Sequence, residues 1–259
     1  MAARVTLITG ASSGIGLELA KVFAAHGHTC VLVARRAELL AELADTIVAA
    51  GGPEPVIIPC DLAAAGAVAK LADEIAARDL EVDILVNNAG FGLAGVARTL
   101  DREQQLAMID LNIRTLTDLT LRFSNSIVRH RGGILNVASV AAFLPGPGMA
   151  VYYATKAFVL SFTEAQRAEL RKTGVRVTVL CPGPVPTGFQ ARAGFVPGMD
   201  SKVLTVAAAD VARAGYEGLM GNRQVVLPGF AVRAIPVLLR FIPRALVLAA
   251  VAKVQQRRS

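Results

Sequence analysis

The chain has 259 residues, of which 54% are hydrophobic and 18% charged, with a mean hydropathy of +0.51. This excludes a disordered chain, and 23 Gly and 12 Pro without a period exclude collagen-like and low-complexity classes. The formal net charge of +7 is concentrated at one end: Glu217 is the last acid, and Arg223, Arg233, Arg240, Arg244, Lys253, Arg257 and Arg258 follow it unopposed.

In chain order, Met1–Arg4 leads straight into the β-branched run Val5–Thr9, so no secretory leader is expected. Helix-like and strand-like segments then alternate. Strands are predicted at Val5–Thr9, Thr29–Ala34, Val56–Cys60, Val82–Asn87, Ile134–Ser139, Val175–Cys181 and Arg223–Leu227. Helices are predicted at Gly16–His26, Ala37–Ala50, Ala64–Arg78, Val151–Lys172 and around 207–219, with one long or two shorter helices over 101–130. Strands apolar on both faces, joined by helical crossovers, imply an α/β fold: a Rossmann-type doubly wound parallel sheet of about seven strands, helices on both faces. One doubly wound domain accounts for residues 1–228. Residues 229–259 form an apolar, basic extension, read as two short helices with Pro236 and Pro243 each near a first turn.

Cys30, Cys60 and Cys181 each sit in an apolar run and read as reduced core thiols of a cytosolic protein. No CxxC or HExxH spacing points to zinc. The basic residues of the tail alternate with Val, Leu, Ile and Pro rather than forming a recognition surface, so no nucleic-acid partner is expected.

Thr9-Gly10-Ala11-Ser12-Ser13-Gly14-Ile15-Gly16 joins the first strand to the first helix. Such a turn brings backbone N–H groups and a helix N-terminus to a pyrophosphate, which assigns Gly10, Ser12, Ser13, Gly14, Ile15 and Gly16 to a dinucleotide. The second strand ends in Ala34 followed by Arg35 and Arg36, where an acid would hold a ribose 2′-hydroxyl. Two guanidiniums suit a 2′-phosphate, giving NADP(H); the alternative is that they open a solvated helix. Asp61 is a candidate for the adenine amino group, or an N-cap.

Four features fall in order: the glycine-rich turn, Asn87-Asn88-Ala89-Gly90, Ser139, and Tyr152-Tyr153-Ala154-Thr155-Lys156. With Pro182-Gly183-Pro184 and Thr187 after the sixth predicted strand, they strongly resemble the short-chain dehydrogenase/reductase family over about residues 1–190. Tyr152 and Lys156 stand i,i+4 on one helix face, where an ammonium favours the phenolate. The resemblance implies Tyr152 as general acid and base, Ser139 as hydrogen-bond donor to the substrate carbonyl, and Lys156 on the nicotinamide ribose. It implies Asn112 supporting a water chain to the lysine, with Asn87 and Gly90 beside the adenosine and ribose. Pro182, Gly183, Val185 and Thr187 then flank the nicotinamide.

The expected activity is therefore NADP(H)-dependent reduction of a carbonyl, or the reverse oxidation of an alcohol, in a homodimer or homotetramer. Apolar pocket walls are expected from Phe91, Leu93, Phe143, Leu144, Met149, Phe189 and Phe195, with Gly188–Val203 as a lid and Arg192 within it. That lining favours a lipophilic ketone, aldehyde or oxoacyl group. The tail is too interrupted to span a bilayer and too apolar to be solvated. It is expected to lie on the cleft, on a second subunit, or peripherally on the inner face of a membrane.

Overall fold

The structure, a computed structural model, describes residues 2–194 and 204–256. Seven strands, β1 (Ala3–Thr9), β2 (Cys30–Ala34), β3 (Val56–Pro59), β4 (Leu80–Asn87), β5 (Gly133–Val137), β6 (Arg176–Leu180) and β7 (Val225–Val226), form one sheet in the order β3-β2-β1-β4-β5-β6-β7. Every pair is parallel. The order reverses between β1 and β4, and the first glycine-rich turn emerges there.

Burial on both faces follows the two-residue period of the strands. From β1, Val5 and Leu7 face one layer and Ile8 the other. β1 and β4 slip register between Val5 and Thr6, where a bulge skips Asp83, so Val82 and Leu85 share a face although three residues apart. Helices α1 (Gly14–Ala25), α2 (Ala37–Ala49) and α8 (Ala208–Met220) cover one face through Leu19, Phe23, Leu40, Ile47, Val211 and Leu219. Helices α3 (Ala67–Ala77) and α5 (Leu116–His130) cover the other through Leu71, Ile75, Leu119, Phe123 and Ile127. On that side α6 (Ala150–Glu169) seats Val159 against Val179 and Cys181.

Several boundaries differ from expectation for local reasons. The expected helix Ala64–Arg78 begins only at Ala67, because Asp61 accepts from the Ala63 N–H at 3.1 Å and Gly66 takes a left-handed φ of 72°. Residues 101–130 form two helices, α4 (Arg102–Ile109) and α5, bridged by a π-helical turn over Asp110–Thr115. The last strand pairs over two residues only. Helix α7 spans Gly188–Ala193; the rest of the expected lid, with Phe195, lies outside the described residues.

The tail forms α9 (Phe230–Leu239) and α10 (Arg244–Gln256). Pro243 precedes α10, and its carbonyl accepts from the Leu246 N–H at 3.0 Å. Pro236 departs from its expected first-turn place and lies inside α9, where a ten-residue helix loses only one internal N–H bond to it.

The polar interior ties the layers together. Asn87 Nδ2 on β4 donates to Asn136 Oδ1 on β5 at 2.9 Å and to Thr120 Oγ1 on α5 at 3.0 Å. Asn136 Nδ2 in turn donates to Thr163 Oγ1 on α6 at 2.9 Å. All four residues are buried. Asn136→Ala removes a partner from two buried groups at once. It is expected to lower the unfolding free energy by about 1–3 kcal/mol in urea titrations while leaving dinucleotide affinity unchanged.

Candidate functional site

A cleft of about 930 Å³ runs along the carboxyl ends of the strands and is lined by the glycine-rich turn at one side and by α6 at the other. Such a crevice at the reversal of strand order is where open parallel sheets bind ligands.

At its β1 side, Gly10 and Gly14 take left-handed φ values of 67° and 58°, which let the chain turn into α1. Gly16 serves differently. A Cβ there would stand 2.3 Å from the Gly10 carbonyl oxygen and from Asn88 Nδ2, so the glycine allows helix and loop to touch. Gly16 does not line the cleft, whereas Gly10, Ser12, Ser13, Gly14 and Ile15 do. The first turn of α1 has neither a side-chain cap nor an acid. Its N–H groups and positive dipole end are therefore suited to an anion, and this cradle fits a pyrophosphate.

Arg36 is anchored to this turn: its Nη2 donates to Ser12 Oγ at 3.0 Å and Ser13 Oγ at 3.2 Å. Arg35 and Arg36 are exposed and line the cleft beside it. Asp61 also lines the cleft, and its carboxylate closes the turn after β3; it is not the N-cap of α3, a position that Gly66 takes. Cys60, expected in the core, is half-buried at the cleft wall because β3 ends before it.

The loop after β4 is held by Thr9, whose Oγ1 donates to the Val86 carbonyl and accepts from the Asn88 and Ala89 N–H groups at 3.0 Å each. Asn88 Nδ2 closes the arrangement onto the Thr9 carbonyl at 2.9 Å. Asn88 and Gly90 line the cleft, but Asn87 does not: the side chain expected beside the cofactor points into the interlayer network, which uses both its amide hydrogens.

Ser139, Tyr152 and Lys156 line the opposite end of the cleft. Ser139 lies two residues beyond the end of β5, and its Oγ accepts from the Ala141 N–H at 3.2 Å, opening the short helical turn Val140–Phe143. Tyr152 and Lys156 project from one face of α6 and are 8% and 7% exposed. The Lys156 ammonium donates to the Val137 carbonyl at 2.9 Å and stands 5.8 Å from the Tyr152 ring centre. Burial pulls this ammonium down to about 8, and the neighbouring Cys181 only partly restores it. For Tyr152 the outcome differs from the expected lowering. Burial raises the phenol, and the hydrogen bond from Ser139 offsets this in part.

Asn112 sits in the π-helical turn and does not line the cleft. Its Nδ2 donates to the Phe91 carbonyl at 2.9 Å and to Thr155 Oγ1 at 3.0 Å, and its Oδ1 accepts from the Phe91 N–H at 3.1 Å. A Cβ on Gly90 would lie 2.8 Å from that oxygen and 3.7 Å from Lys156 Nζ. Glycine at this position thus lets the amide and the lysine approach one loop.

Pro182, Gly183, Val185 and Thr187 line the cleft, as do two residues that sequence reasoning missed, Gln104 and Gln190. The Gln190 amide donates to the Val185 carbonyl and accepts from the Thr187 N–H at 3.2 Å, engaging the backbone expected to meet the nicotinamide carboxamide. A lone glutamine carries no sequence signal of such a contact. Of the expected walls, Phe91, Leu93, Met149 and Phe189 line the cleft, joined by Tyr153. Phe143 instead packs into the core with Leu116 and Val159, and Leu144 is not part of the lining. The side chain of Arg192 lies outside the described residues.

The lowered lysine has a consequence for stability. Folded Lys156 loses its proton near pH 8 and the unfolded chain near 10.5, so between these values the unfolded state binds more protons and the burial penalty fades as pH rises. The unfolding free energy of Lys156→Met minus that of the parent is therefore expected to be largest below pH 8 and to fall from pH 8 towards 10.5. Denaturant titrations across this range measure it.

The chain is similar in sequence and fold to known proteins. A model of the short chain dehydrogenases matches residues 4–194. Sulfoacetaldehyde reductase 2 of Chromohalobacter salexigens is 39% identical over 188 residues, 71% of this chain and 74% of that one. A Sphingobium yanoikuyae short-chain dehydrogenase solved in complex with NADPH is 32% identical, with a TM-score of 0.82 over 94% of both chains. The bulky-bulky ketone specific alcohol dehydrogenase of Comamonas testosteroni is 27% identical, with a TM-score of 0.75 over 95% of this chain and 96% of that one. The chain belongs to the short-chain dehydrogenase/reductase family, NAD(P)-dependent oxidoreductases that act on CH–OH groups and carbonyls.

Proposed function

We propose that the protein is an NADP(H)-preferring carbonyl reductase and alcohol dehydrogenase for lipophilic ketones, aldehydes or oxoacyl groups. The observation that carries this reading is one continuous cleft with Arg35 and Arg36 at one end and Ser139, Tyr152 and Lys156 at the other. The nicotinamide, when bound, supplies or accepts the hydride. The chain's own residues do the rest. The Ser139 hydroxyl donates to the substrate carbonyl oxygen, where negative charge develops. The Tyr152 phenol, kept protonated by burial, gives its proton to that oxygen in reduction and accepts one in oxidation. The Lys156 ammonium, fixed on the Val137 carbonyl, favours the phenolate that reduction leaves behind and is suited to the ribose hydroxyls. Asn112 holds the Phe91 backbone and Thr155 and so positions the loop against α6.

At the adenosine end, Arg36 braced by two serine hydroxyls is suited to a 2′-phosphate, and Arg35 adds a second charge. The NADPH complex of the Sphingobium relative supports this choice. Gln190 offers its primary amide to the groups a nicotinamide carboxamide would use and yields them when the dinucleotide enters. The apolar walls Phe91, Leu93, Met149 and Phe189 favour a lipophilic substrate.

Two experiments test the reading. Tyr152→Phe is expected to lower turnover on a ketone panel by roughly 10²- to 10⁴-fold with NADPH affinity retained, while Tyr153→Phe has a mild effect. Comparable turnover of Tyr152→Phe and the parent overturns the assignment. Arg35→Asp and Arg36→Asp are each expected to weaken NADPH binding by roughly 10- to 100-fold without weakening NADH. Equal affinities of the unaltered protein for the two cofactors at modest salt contradict the preference.

A further inference from the structure

No helix among the described residues is long and apolar enough to cross a membrane. Even so, among the described residues the tail exposes more large apolar side chains than any comparable stretch of the body. Of the thirteen exposed large hydrophobic residues described, seven lie between 230 and 248, led by Phe230 at 91% and Phe241 at 81%. A monomer in water ordinarily leaves no contiguous apolar patch larger than a few hundred Å² without a use for it.

The arrangement is ordered. In α9, Phe230, Arg233 and Val237 follow one another at i, i+3 and i+7 and are all exposed, with Leu238 beside them. The opposite side is fastened down. Val232 is 1% exposed and packs where a Cβ on Gly183 would stand 2.9 Å from its Cγ2. Arg233 Nε also donates to the Leu227 carbonyl at 3.0 Å, fixing the start of the helix. The exposed apolar face is therefore a held surface. In α10 only Val247 is buried among the residues whose exposure is described, and Leu246, Leu248, Arg244 and Lys253 are exposed.

Charge selects the occupant. The chain carries seven bases and no acid after Glu217, while residues 1–217 hold twenty of each. A two-fold contact between copies through this face would bring together two segments that carry bases and no acid, and like charges facing across an interface are costly. A nucleic acid would meet the bases but leave the exposed phenylalanines without an apolar partner. An anionic bilayer surface satisfies both, taking the apolar side chains at the acyl boundary and the bases at the headgroups.

We propose that α9 and α10 form a docking surface for an anionic lipid bilayer, held peripherally. The side of α9 opposite this surface backs onto the cleft, because Gly183 lines the cleft and packs against Val232. This inference stands on the tail and is independent of which carbonyl the enzyme reduces.

The test is co-sedimentation of the full chain with vesicles of phosphatidylcholine alone and of phosphatidylcholine with phosphatidylglycerol. Far-UV circular dichroism with NADPH affinity serves as the check on folding, and light scattering gives the oligomeric state. Preferential binding to the phosphatidylglycerol vesicles, weakened by salt, is expected. Arg240→Gln, Arg244→Gln and Lys253→Gln together should weaken it by about 100-fold. Phe230→Ser with Phe241→Ser should abolish binding while NADPH affinity and oligomeric state are kept. The proposal is overturned by absent binding to the anionic vesicles. It is equally overturned by unchanged binding of either variant, or by a phenylalanine variant that dissociates an oligomer and leaves vesicle binding intact.

Discussion

Two parallel strands cannot be joined by a tight turn; the chain must leave one end of the sheet and return to the other. All six pairings here are parallel, so every strand delivers its following loop to the same edge. The glycine-rich turn, Arg35 and Arg36, Asp61, the Asn88–Gly90 loop, Ser139 and the Pro182–Thr187 segment are far apart in sequence and meet at that edge for this reason. The reversal of strand order between β1 and β4 then opens the gap into which a dinucleotide fits.

The same edge carries a buried ammonium. An ammonium taken out of water is costly, and Lys156 is almost wholly buried. The Val137 carbonyl at the end of β5 compensates it in part, and the remaining strain appears as the lowered proton affinity. The backbone carbonyl is available because β5 ends there, with Ala138 bonding on to Leu180 and Ser139 turning away. A π-helical turn is a similar accommodation. Its extra residue sets Asn112 where one amide satisfies both backbone groups of Phe91 and the hydroxyl of Thr155. The site is thus assembled by structure that serves stability poorly at a few points and is braced around them.

The layered α/β architecture, the strand positions and the lining of the cleft by Gly10, Ser139, Tyr152 and Lys156 were legible in the sequence. Their signals are local: apolar runs of strand length, a turn that only glycine can make, and a tyrosine and lysine one helical turn apart. Residues whose place depends on distant partners were read less well. Asn87 ends β4 and Asn88 follows it, and nothing nearby in sequence tells which of them turns inward; Thr120 and Asn136 decide it. Phe143 looked like a pocket wall beside Ser139, but the helical turn after β5 swings it into the core with Leu116 and Val159. Gln190 gained its position from the backbone of Val185 and Thr187.

By itself the sequence determined the kind of chain this is: the alternation of elements, the glycine-rich turn, a tyrosine and a lysine on one helix face, and a tail with an unopposed positive charge. Each of these follows from spacing within a few residues, where backbone geometry leaves little freedom. The tertiary structure alone decided which asparagine faces the cleft, how far Lys156 is buried, where the register of β1 and β4 slips, and which side of α9 is left exposed. Those outcomes depend on packing between segments distant in sequence, where burial and the need to satisfy buried polar groups outweigh local preference.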